Sequence, residues 1–478
     1  MSVRVRFAPS PTGYLHIGGA RTALYCYLIA KAKGGSFILR IEDTDLERSK
    51  KEYEVAMIDD LKWCGLTHNE GPDVGGDFGP YRQSERTEIY LKYAKEFVEK
   101  GIAYPCFLTS DELEELTAKA EGEKKAPHTY HGKYRDLDPA EAAKRVAAGE
   151  EHVIRFKNPG KEWKFHDLVR GDVKFPVDMV GDFVIIRSNG MPVYNFCCVI
   201  DDHLMEMTHV IRAEEHLNNT VRQLMIYEAL GAKPPQFVHC SLLVGEDRQK
   251  LSKRHGATSV KQYRDQDYLP GALMNYLCLL GWSHPEEKDI FDLNDIDKEF
   301  NLDRFNKSPA FYDMNKLKYF NEQYLRALPI EDLVSGFSRA IDDSHEWHSK
   351  DDAWKSEFSD LFREKVQLFS DINPMLGLIF DETIEQTEDV VEVNGWETTP
   401  TIREYVKSEV TSIKDGGASV ISSEQFKGMM NHLKKELKIK GKPLFMGLRV
   451  VLTGKTHGPD LSRAIPLTPI STIEKRLS

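Results

Sequence analysis

The stretch Val3-Arg4-Val5-Arg6-Phe7-Ala8-Pro9-Ser10-Pro11-Thr12-Gly13-Tyr14-Leu15-His16-Ile17-Gly18-Gly19-Ala20-Arg21 decides the fold. Val3, Val5 and Phe7 alternate with Arg4 and Arg6, the two-residue period of a strand. Pro9, Pro11 and Gly13 stop the strand and force a turn. Beyond it Ile17, Ala20, Leu24, Tyr27 and Leu28 recur at helical spacing until Gly34-Gly35 ends the run. The unit is a strand, a tight loop and a helix with Gly18 and Gly19 in its first turn. Backbone N–H groups at such a helix start attract phosphates, and glycines let a flat ring or a phosphate come close to the backbone. If the extended conformation persists, Arg6, Ala8 and Ser10 share one face and aim a cation and a hydroxyl at the same place. A nucleotide site is the expectation. The glycines do not fit the dinucleotide fingerprint. Gly13 to Gly18 has the first spacing of a P-loop, but Gly19 and Ala20 stand where that motif has its lysine and its magnesium-binding hydroxyl.

At 478 residues the chain exceeds one compact core and should hold two to four domains. Seven cysteines without a C-x-x-C pair point to neither a disulfide framework nor a zinc ribbon, which fits a reducing cytoplasm. A strand begins at once, and no apolar run is long enough for a membrane span, so neither a signal peptide nor a membrane partner is expected. The net charge of −12 argues mildly against nucleic acid, but charge is segregated. Lys427, Lys434, Lys435, Lys438, Lys440, Lys442, Arg449 and Lys455 face only Glu436, whereas Asn373 to Ile402 carries carboxylates and no Lys or Arg.

Along the chain, Phe37 to Ile41 reads as a second strand ending in Glu42-Asp43-Thr44-Asp45. Asp43, Thr44 and Asp45 are expected to cap the helix that follows, and Glu42, at a strand's carboxyl end, to meet a ligand. Cys106 to about Val180 breaks the strand–helix rhythm and reads as an insertion. Phe183 to Ile186 and Val193 to Phe196 look like a hairpin turning at Ser188-Asn189-Gly190. Val210-Ile211-Arg212 runs as a strand into the carboxylate-rich helix start Glu214-Glu215-His216. Phe237 to Val244 is a further strand leading to Lys250-Leu251-Ser252-Lys253-Arg254, which taken alone is a solvated basic loop.

Taken together, these stretches resemble glutamyl-tRNA synthetases of the bacterial type. His16-Ile17-Gly18-Gly19 resembles the first signature of class I aminoacyl-tRNA synthetases, His-Ile-Gly-His, and Lys250 to Arg254 the second, Lys-Met-Ser-Lys-Ser. Phe7 to Arg21, Phe37 to Asp45, Lys307-Ser308-Pro309-Ala310 and Gly441 to Arg449 extend the resemblance over nearly the whole length. Helical periodicity after about Leu317 favours it over the glutaminyl enzymes, whose anticodon end is mostly barrel. A rival class glutamylates a modified tRNA base by the same adenylate chemistry, but lacks an anticodon end. A non-enzymatic RNA-binding or nucleotide-sensing descendant would be expected to lose His16 or Lys253.

The resemblance implies a Rossmann-like α/β catalytic domain (1–104 and 186–245) with an α+β acceptor-stem-binding insertion (105–185). A stem-contact domain carrying the basic loop (246–325) and an all-α anticodon-binding region (326–478) would follow. It implies ligation of L-glutamate to tRNA(Glu) through glutamyl-adenylate, with ATP and Mg2+, by a cytoplasmic monomer. His16, Lys250 and Lys253 would be catalytic. ATP would lie on His16, Gly18, Gly19, Glu215, Lys250, Leu251, Ser252, Lys253 and Arg254. Glutamate would lie on Arg6, Ala8, Ser10, Glu42, Tyr194, Asn195 and Arg212, with Arg6 and Arg212 on its carboxylate and Glu42 on its ammonium. The alternative for Arg212 is an ion pair with Glu214 or Glu215. No structural zinc is expected: where some relatives carry a cysteine cluster, this chain keeps only Cys106, with Tyr134 near the place of a later cysteine, and His128 and His131 read as loop residues.

Overall fold

The computed structural model describes residues 2–122, 132–252, 258–296 and 299–478. The chain divides into two compact units, Met1–Asp265 with Pro270–Met314, and Gln266–Leu269 with Asn315–Ser478. In chain order the first unit holds β1 (Arg4–Phe7), α1 (Ile17–Ala32), β2 (Ser36–Leu39), α2 (Lys51–Trp63), α3 (Thr87–Glu99), β3 (Ala103–Cys106), α4 (Ser110–Gly122) and α5 (Pro139–Ala147). It continues with β4 (Val153–Phe156), β5 (Trp163–Asp167), β6 (Gly171–Phe175), β7 (Phe183–Ile186), α6 (Tyr194–Leu204), β8 (His209–Ala213) and α7 (Leu217–Leu230). β9 (Gln236–Cys240), β10 (Leu243–Val244), α8 (Val260–Asp265), α9 (Pro270–Leu279) and β11 (Ala310–Phe311) complete it.

The central sheet has the order β2-β1-β8-β9-β5-β6. β1 is parallel to β2 on one side and to β8 on the other; β8 is parallel to β9, and β9 to β5. Val5, Arg6 and Phe7 are all buried, so both faces of β1 are covered, as a central parallel strand requires. The chain leaves β1 toward β2 on one side, while β8 lies on the other. A crevice therefore opens at the carboxyl ends of β1 and β8, the place where such sheets bind ligands.

β5 and β6 fall inside the span read as an insertion, yet they pair onto the central sheet, with Asp167 opposite Phe237. The antiparallel sheet β3-β4-β7 packs on the same core, in which Phe97, Phe156, Phe175, Phe183, Phe196 and Phe237 meet. Three local expectations are corrected. Val193 to Phe196 is not a returning strand: beyond the Ile186–Pro192 bridge only the Val193 N–H still pairs, with Ile185 O (3.1 Å), and α6 begins at Tyr194. Phe196 to Ile200 is buried all round, so that apolar run carries no alternation to mark it as a strand or a helix. Asp43 to Asp45 do not cap α2, which starts after Lys50. Asp43 instead accepts from the Ser84 N–H (2.8 Å) and hydroxyl (2.6 Å), and Asp45 pairs with Arg48 across an intervening turn. The strand expected from Phe237 to Val244 is broken at residues 241–242, and β10 pairs elsewhere, with β11.

From Met314 to the end the ordered elements are helices. They comprise α10 (Met314–Ala327), α11 (Ile330–Ala340), α12 (Asp352–Phe362), α13 (Asn373–Phe380), α14 (Glu388–Asn394), α15 (Thr398–Asp415), α16 (Ser423–Lys435), α17 (Lys442–Thr453), α18 (Leu461–Ala464) and α19 (Ile470–Leu477). One core gathers Leu325, Phe337, Trp347 and Phe358, and another Ile402, Val406, Leu448, Val451 and Ile473. The architecture is an α/β unit followed by an all-α region. No helix among the described residues is long and apolar enough to cross a membrane.

Candidate active site

The crevice at the ends of β1 and β8 is a cavity of about 730 Å3, lined by the β1–α1 loop, the end of β8 and the basic loop's first residues. His16 is the N-cap of α1, and its Nδ1 accepts the Gly18 N–H at 3.1 Å. The proton of the neutral ring therefore sits on Nε2. Burial, with Lys250 alongside, holds the imidazole below its usual range and outweighs Glu215. Gly19 lies against Leu15 and Phe7; a Cβ there would stand 3.2 Å from the Leu15 side chain.

Two segments far apart in sequence are stitched together at this point. The Ile17 N–H donates to Thr258 O (2.9 Å), the Val260 N–H to Leu15 O (2.8 Å), and His16 bridges Ser259. On the entry side the Leu251 N–H donates to Leu243 O (3.0 Å), and Lys250 bridges Val244. The basic loop is thus anchored at both ends beside the helix start. Lys250 pairs with Glu215, and both line the cavity. Lys253 and Arg254 lie outside the described residues.

The floor holds a buried charge network. Asp202 accepts from Arg6 Nε (2.9 Å) and Nη2 (3.2 Å) and from Arg40 Nη1 (2.7 Å). Arg40 also reaches Glu42 (3.1 Å), and the Glu42 N–H donates to Pro9 O (2.9 Å), which sets its carboxyl beside the β1–α1 loop. Burial pushes the Glu42 carboxyl above its usual range despite Arg40 and Arg6. Asp201 is held separately by Arg86 (2.7 Å), Gln83 (2.8 Å) and Tyr90 (2.8 Å).

Arg212 closes the other side. Its Nε donates to His239 Nε2 (3.0 Å) and its Nη2 to the Thr220 hydroxyl (2.8 Å), with the Tyr194 hydroxyl 3.5 Å from Nη1. Neither Glu214 nor Glu215 is its partner: Glu214 pairs with Arg170 (2.5 Å) and Glu215 with Lys250. The charge of Arg6 is met by Asp202, whereas the hydrogen-bond partners of Arg212 are neutral.

Of the residues singled out in the sequence, Arg6, Ala8, Ser10, His16, Gly18, Gly19, Glu42, Tyr194, Arg212, Glu215, Lys250 and Leu251 come together around this cavity. Asn195 does not line it; its side chain turns to α7, accepting from Gln223 at 3.1 Å. Ser252 is not among the lining residues. His216, Asn219, Arg48 and Arg187 line the cavity without having been singled out. His216 follows the end of a central strand, a position that marks it in retrospect. Its imidazole is pushed down to about 4 by burial and by Arg212. Arg48 and Arg187 sit in turns with no local signal.

Residues 2–319 match the family model of class I tRNA synthetases (E and Q), catalytic domain, and residues 325–478 that of an anticodon-binding domain. The chain belongs to the class I glutamyl and glutaminyl tRNA synthetases. Within this family it is 45% identical to the glutamate–tRNA ligase 1 of Caldicellulosiruptor saccharolyticus, over 100% of this chain and 98% of that one. It is also 45% identical to the glutamate–tRNA ligase of Bdellovibrio bacteriovorus, over 99% and 97%. A crystal structure of a glutamate tRNA ligase from Elizabethkingia meningosepticum, in complex with its amino acid, superposes with a TM-score of 0.90 at 32% identity, covering 100% of this chain and 98% of that one. The chain is a glutamate–tRNA synthetase: it joins glutamate to tRNA(Glu) with ATP, through glutamyl-adenylate, releasing AMP and pyrophosphate. As a class I synthetase it uses ATP, typically with Mg2+. Among the described residues no group of three or more His, Cys, Asp or Glu stands ready to hold a metal ion.

Proposed function

We propose that the cavity between β1 and β8 is where this synthetase makes glutamyl-adenylate. The observation that supports this reading is the stitching of residues 15–17 to 258–260, which sets the described ends of the basic loop beside the N-terminus of α1. The glutamate α-carboxylate attacks the α-phosphorus of ATP; the bond to the β-phosphate oxygen breaks and pyrophosphate leaves. The terminal ribose hydroxyl of tRNA then takes the glutamyl group, AMP departs, and the hydroxyl proton is released. No covalent enzyme intermediate is required, so catalysis is positioning plus charge stabilisation. His16, Lys250 and Lys253 meet the developing phosphate charge. Gly18, Gly19, Glu215, Leu251, Ser252 and Arg254 complete the nucleotide site. Arg6 and Arg212 hold the substrate's carboxylate and Glu42 its ammonium, with Ala8, Ser10, Tyr194 and Asn195 around them.

The carboxylates that line the cavity are already countered: Glu42 by Arg40, Asp45 by Arg48, Glu215 by Lys250. That donor set suits a Mg2+ ion carried on the ATP phosphates, which usually keeps several waters and few protein ligands. The reading includes no structural zinc, a monomer and a cytoplasmic location. Residues 105–185 and 246–325 contact the tRNA stem, and 326–478 the anticodon.

Lys253→Ala tests the nucleotide half. Pyrophosphate exchange with tRNA present should fall by on the order of 3 kcal/mol of transition-state stabilisation, as on losing an oxyanion donor, while glutamate affinity holds. A near-parental rate would sink the assignment.

The anticodon half is tested at Lys434, Lys435 and Lys438, all exposed around the end of α16. Changing the three to Glu should weaken tRNA binding and flatten its salt dependence, because fewer counterions are released. Superimposable plots of affinity against salt for parent and variant would reduce the basic run to a solvated surface.

A further inference from the structure

We infer that Asp167 and His239 are positioning residues for Arg212, presenting its guanidinium to the glutamate carboxylate without neutralising it. The inference rests on the proposed carboxylate-holding role of Arg212.

Asp167 ends β5 and His239 lies in β9, and both side chains have no exposed surface. His239 Nδ1 stands 2.6 Å from Asp167 Oδ2, and the His239 backbone N–H donates to the same oxygen at 3.2 Å. Asp167 Oδ1 accepts the N–H groups of Val169 (2.9 Å) and Arg170 (2.7 Å). Burial pushes the Asp167 carboxyl up, but the hydrogen bond from His239 and those backbone donors bring it below its usual range. An ionised Asp167 accepts only, so His239 Nδ1 carries a proton.

The other ring nitrogen settles the charge. His239 Nε2 faces Arg212 Nε–H at 3.0 Å, and the Thr220 hydroxyl lies 3.3 Å from it. A guanidinium has no acceptor, so Nε2 is bare and the imidazole is neutral. Burial, with Arg212 alongside, also pushes the imidazole down, outweighing Asp167. The ring is thus a neutral spacer between an anion and a cation. Arg212 is oriented at Nε by the ring and at Nη2 by Thr220, which itself touches the ring.

The spacer has a consequence for binding. A carboxylate placed directly on Arg212 would compete there with the substrate's own carboxylate. Asp167 instead acts one ring away, fixing the tautomer and plane of His239. Asp167 is brought to this place by the β5–β6 hairpin, which extends the central sheet beyond β9. Arg170, at its turn, donates to His239 O (3.2 Å) and Lys307 O (2.7 Å) and pairs with Glu214, which clamps the hairpin beside β9.

The test uses the full-length enzyme with tRNA, and reads kcat and the KM values for glutamate and ATP separately. Asp167→Asn is nearly isosteric, but its amide can donate to Nδ1 and drive the ring proton to Nε2, donor against donor at Arg212. The glutamate KM should rise about 10- to 100-fold, by analogy with the loss when the orienting partner of a metal-ligating histidine is changed. The ATP KM should hold. His239→Phe should behave likewise, and His239→Gln, which restores an acceptor, should recover part of the loss. Equal loss of kcat and of both KM values, with no recovery in His239→Gln, would mean a merely structural cluster and overturn the inference. Arg212→Leu separates the two levels. If it leaves the glutamate KM unchanged, the carboxylate role of Arg212 fails. If it raises KM while the Asp167 and His239 variants do not, the positioning role alone fails. Should those variants not fold, the parent enzyme with 15N-labelled histidine decides: a neutral ring protonated at Nδ1 is required at pH 7, and a spectrum without one overturns the inference.

Discussion

His16→Ala should slow glutamyl-adenylate formation roughly 100- to 1,000-fold while leaving the protein folded. Its Nδ1 is engaged by the Gly18 N–H, so the group it offers the cavity is the Nε2–H. Such a donor, aimed where charge develops, supplies roughly 3–4 kcal/mol of transition-state stabilisation when substrate leaves water behind. The lost cap of α1 costs about 1 kcal/mol, which separates the two effects by magnitude. His16→Asn separates them by chemistry. Asparagine is among the best N-caps, so stability should return, but its shorter amide does not reach as far and the rate should stay low. The sign of the pH dependence follows from the same geometry. The imidazole sits below its ordinary value of 6.5, so it is already neutral at pH 7 and above, and no loss of rate through His16 is expected as pH rises from 7 to 8. An imidazolium requirement would show as a rate that climbs steadily on acidification. Parental pyrophosphate exchange in His16→Ala, with tRNA present, would remove His16 from the chemistry.

Local patterns carried the frame of this site and missed its supports, for physical reasons. β1, its loop and α1 were legible because a change of period from two to 3.6 across Pro9, Pro11 and Gly13 has one simple solution. The basic loop drew attention by composition. The signature resemblance, not any spacing rule, joined it to His16, and the structure supplies the bonds that do so. Asp202 was unreadable. Two adjacent carboxylates in Val199-Ile200-Asp201-Asp202 look like a polar turn, and only their partners Arg6, Arg40 and Arg86, more than a hundred residues upstream, account for their burial. Asp167 and His239 were hidden for the same reason. Neither stands out among the other polar residues of its strand, Lys164 and His166 in β5 and Gln236 in β9, and the pairing of β5 with β9 that brings them together leaves no trace in either segment. The helix at Tyr194 was misread because an apolar run buried on every side has no period to report. Nothing local announced Arg48 and Arg187, which reach the cavity from turns.

Asp202→Ala should destabilise the first unit by about 3–5 kcal/mol at pH 7, among the larger costs a single substitution can bring. The carboxylate has two buried cations on it, and neither guanidinium can shed its charge when the partner is removed. Arg6 and Arg40 have almost no exposed surface, so water does not take the place of Asp202. Asp201 offers little relief: it lies 3.7 Å from Arg40 Nε and is committed to Arg86, Gln83 and Tyr90. The pH dependence has a definite sign. Burial pushes the Asp202 carboxyl up, but Arg6 and Arg40 outweigh it and hold the group at about 2, against an ordinary 3.8. A carboxyl depressed in the folded state stabilises fully above its unfolded value and loses that contribution as pH falls through the folded one. The part carried by ionisation, on the order of 2 kcal/mol, should therefore fade between pH 4 and pH 2, and the gap between parent and variant should narrow there. Asp202→Asn, which keeps the shape and one acceptor, should fall between the two at pH 7. Denaturant unfolding of the first unit at pH 7 and pH 3 reads all of this. A variant that unfolds at the parental midpoint at pH 7 would mean that the Arg6–Asp202–Arg40 cluster is not what holds the floor of the cavity. Arg6 would then owe its position to β1 alone, where its neighbours Val5 and Phe7 are buried on the opposite face.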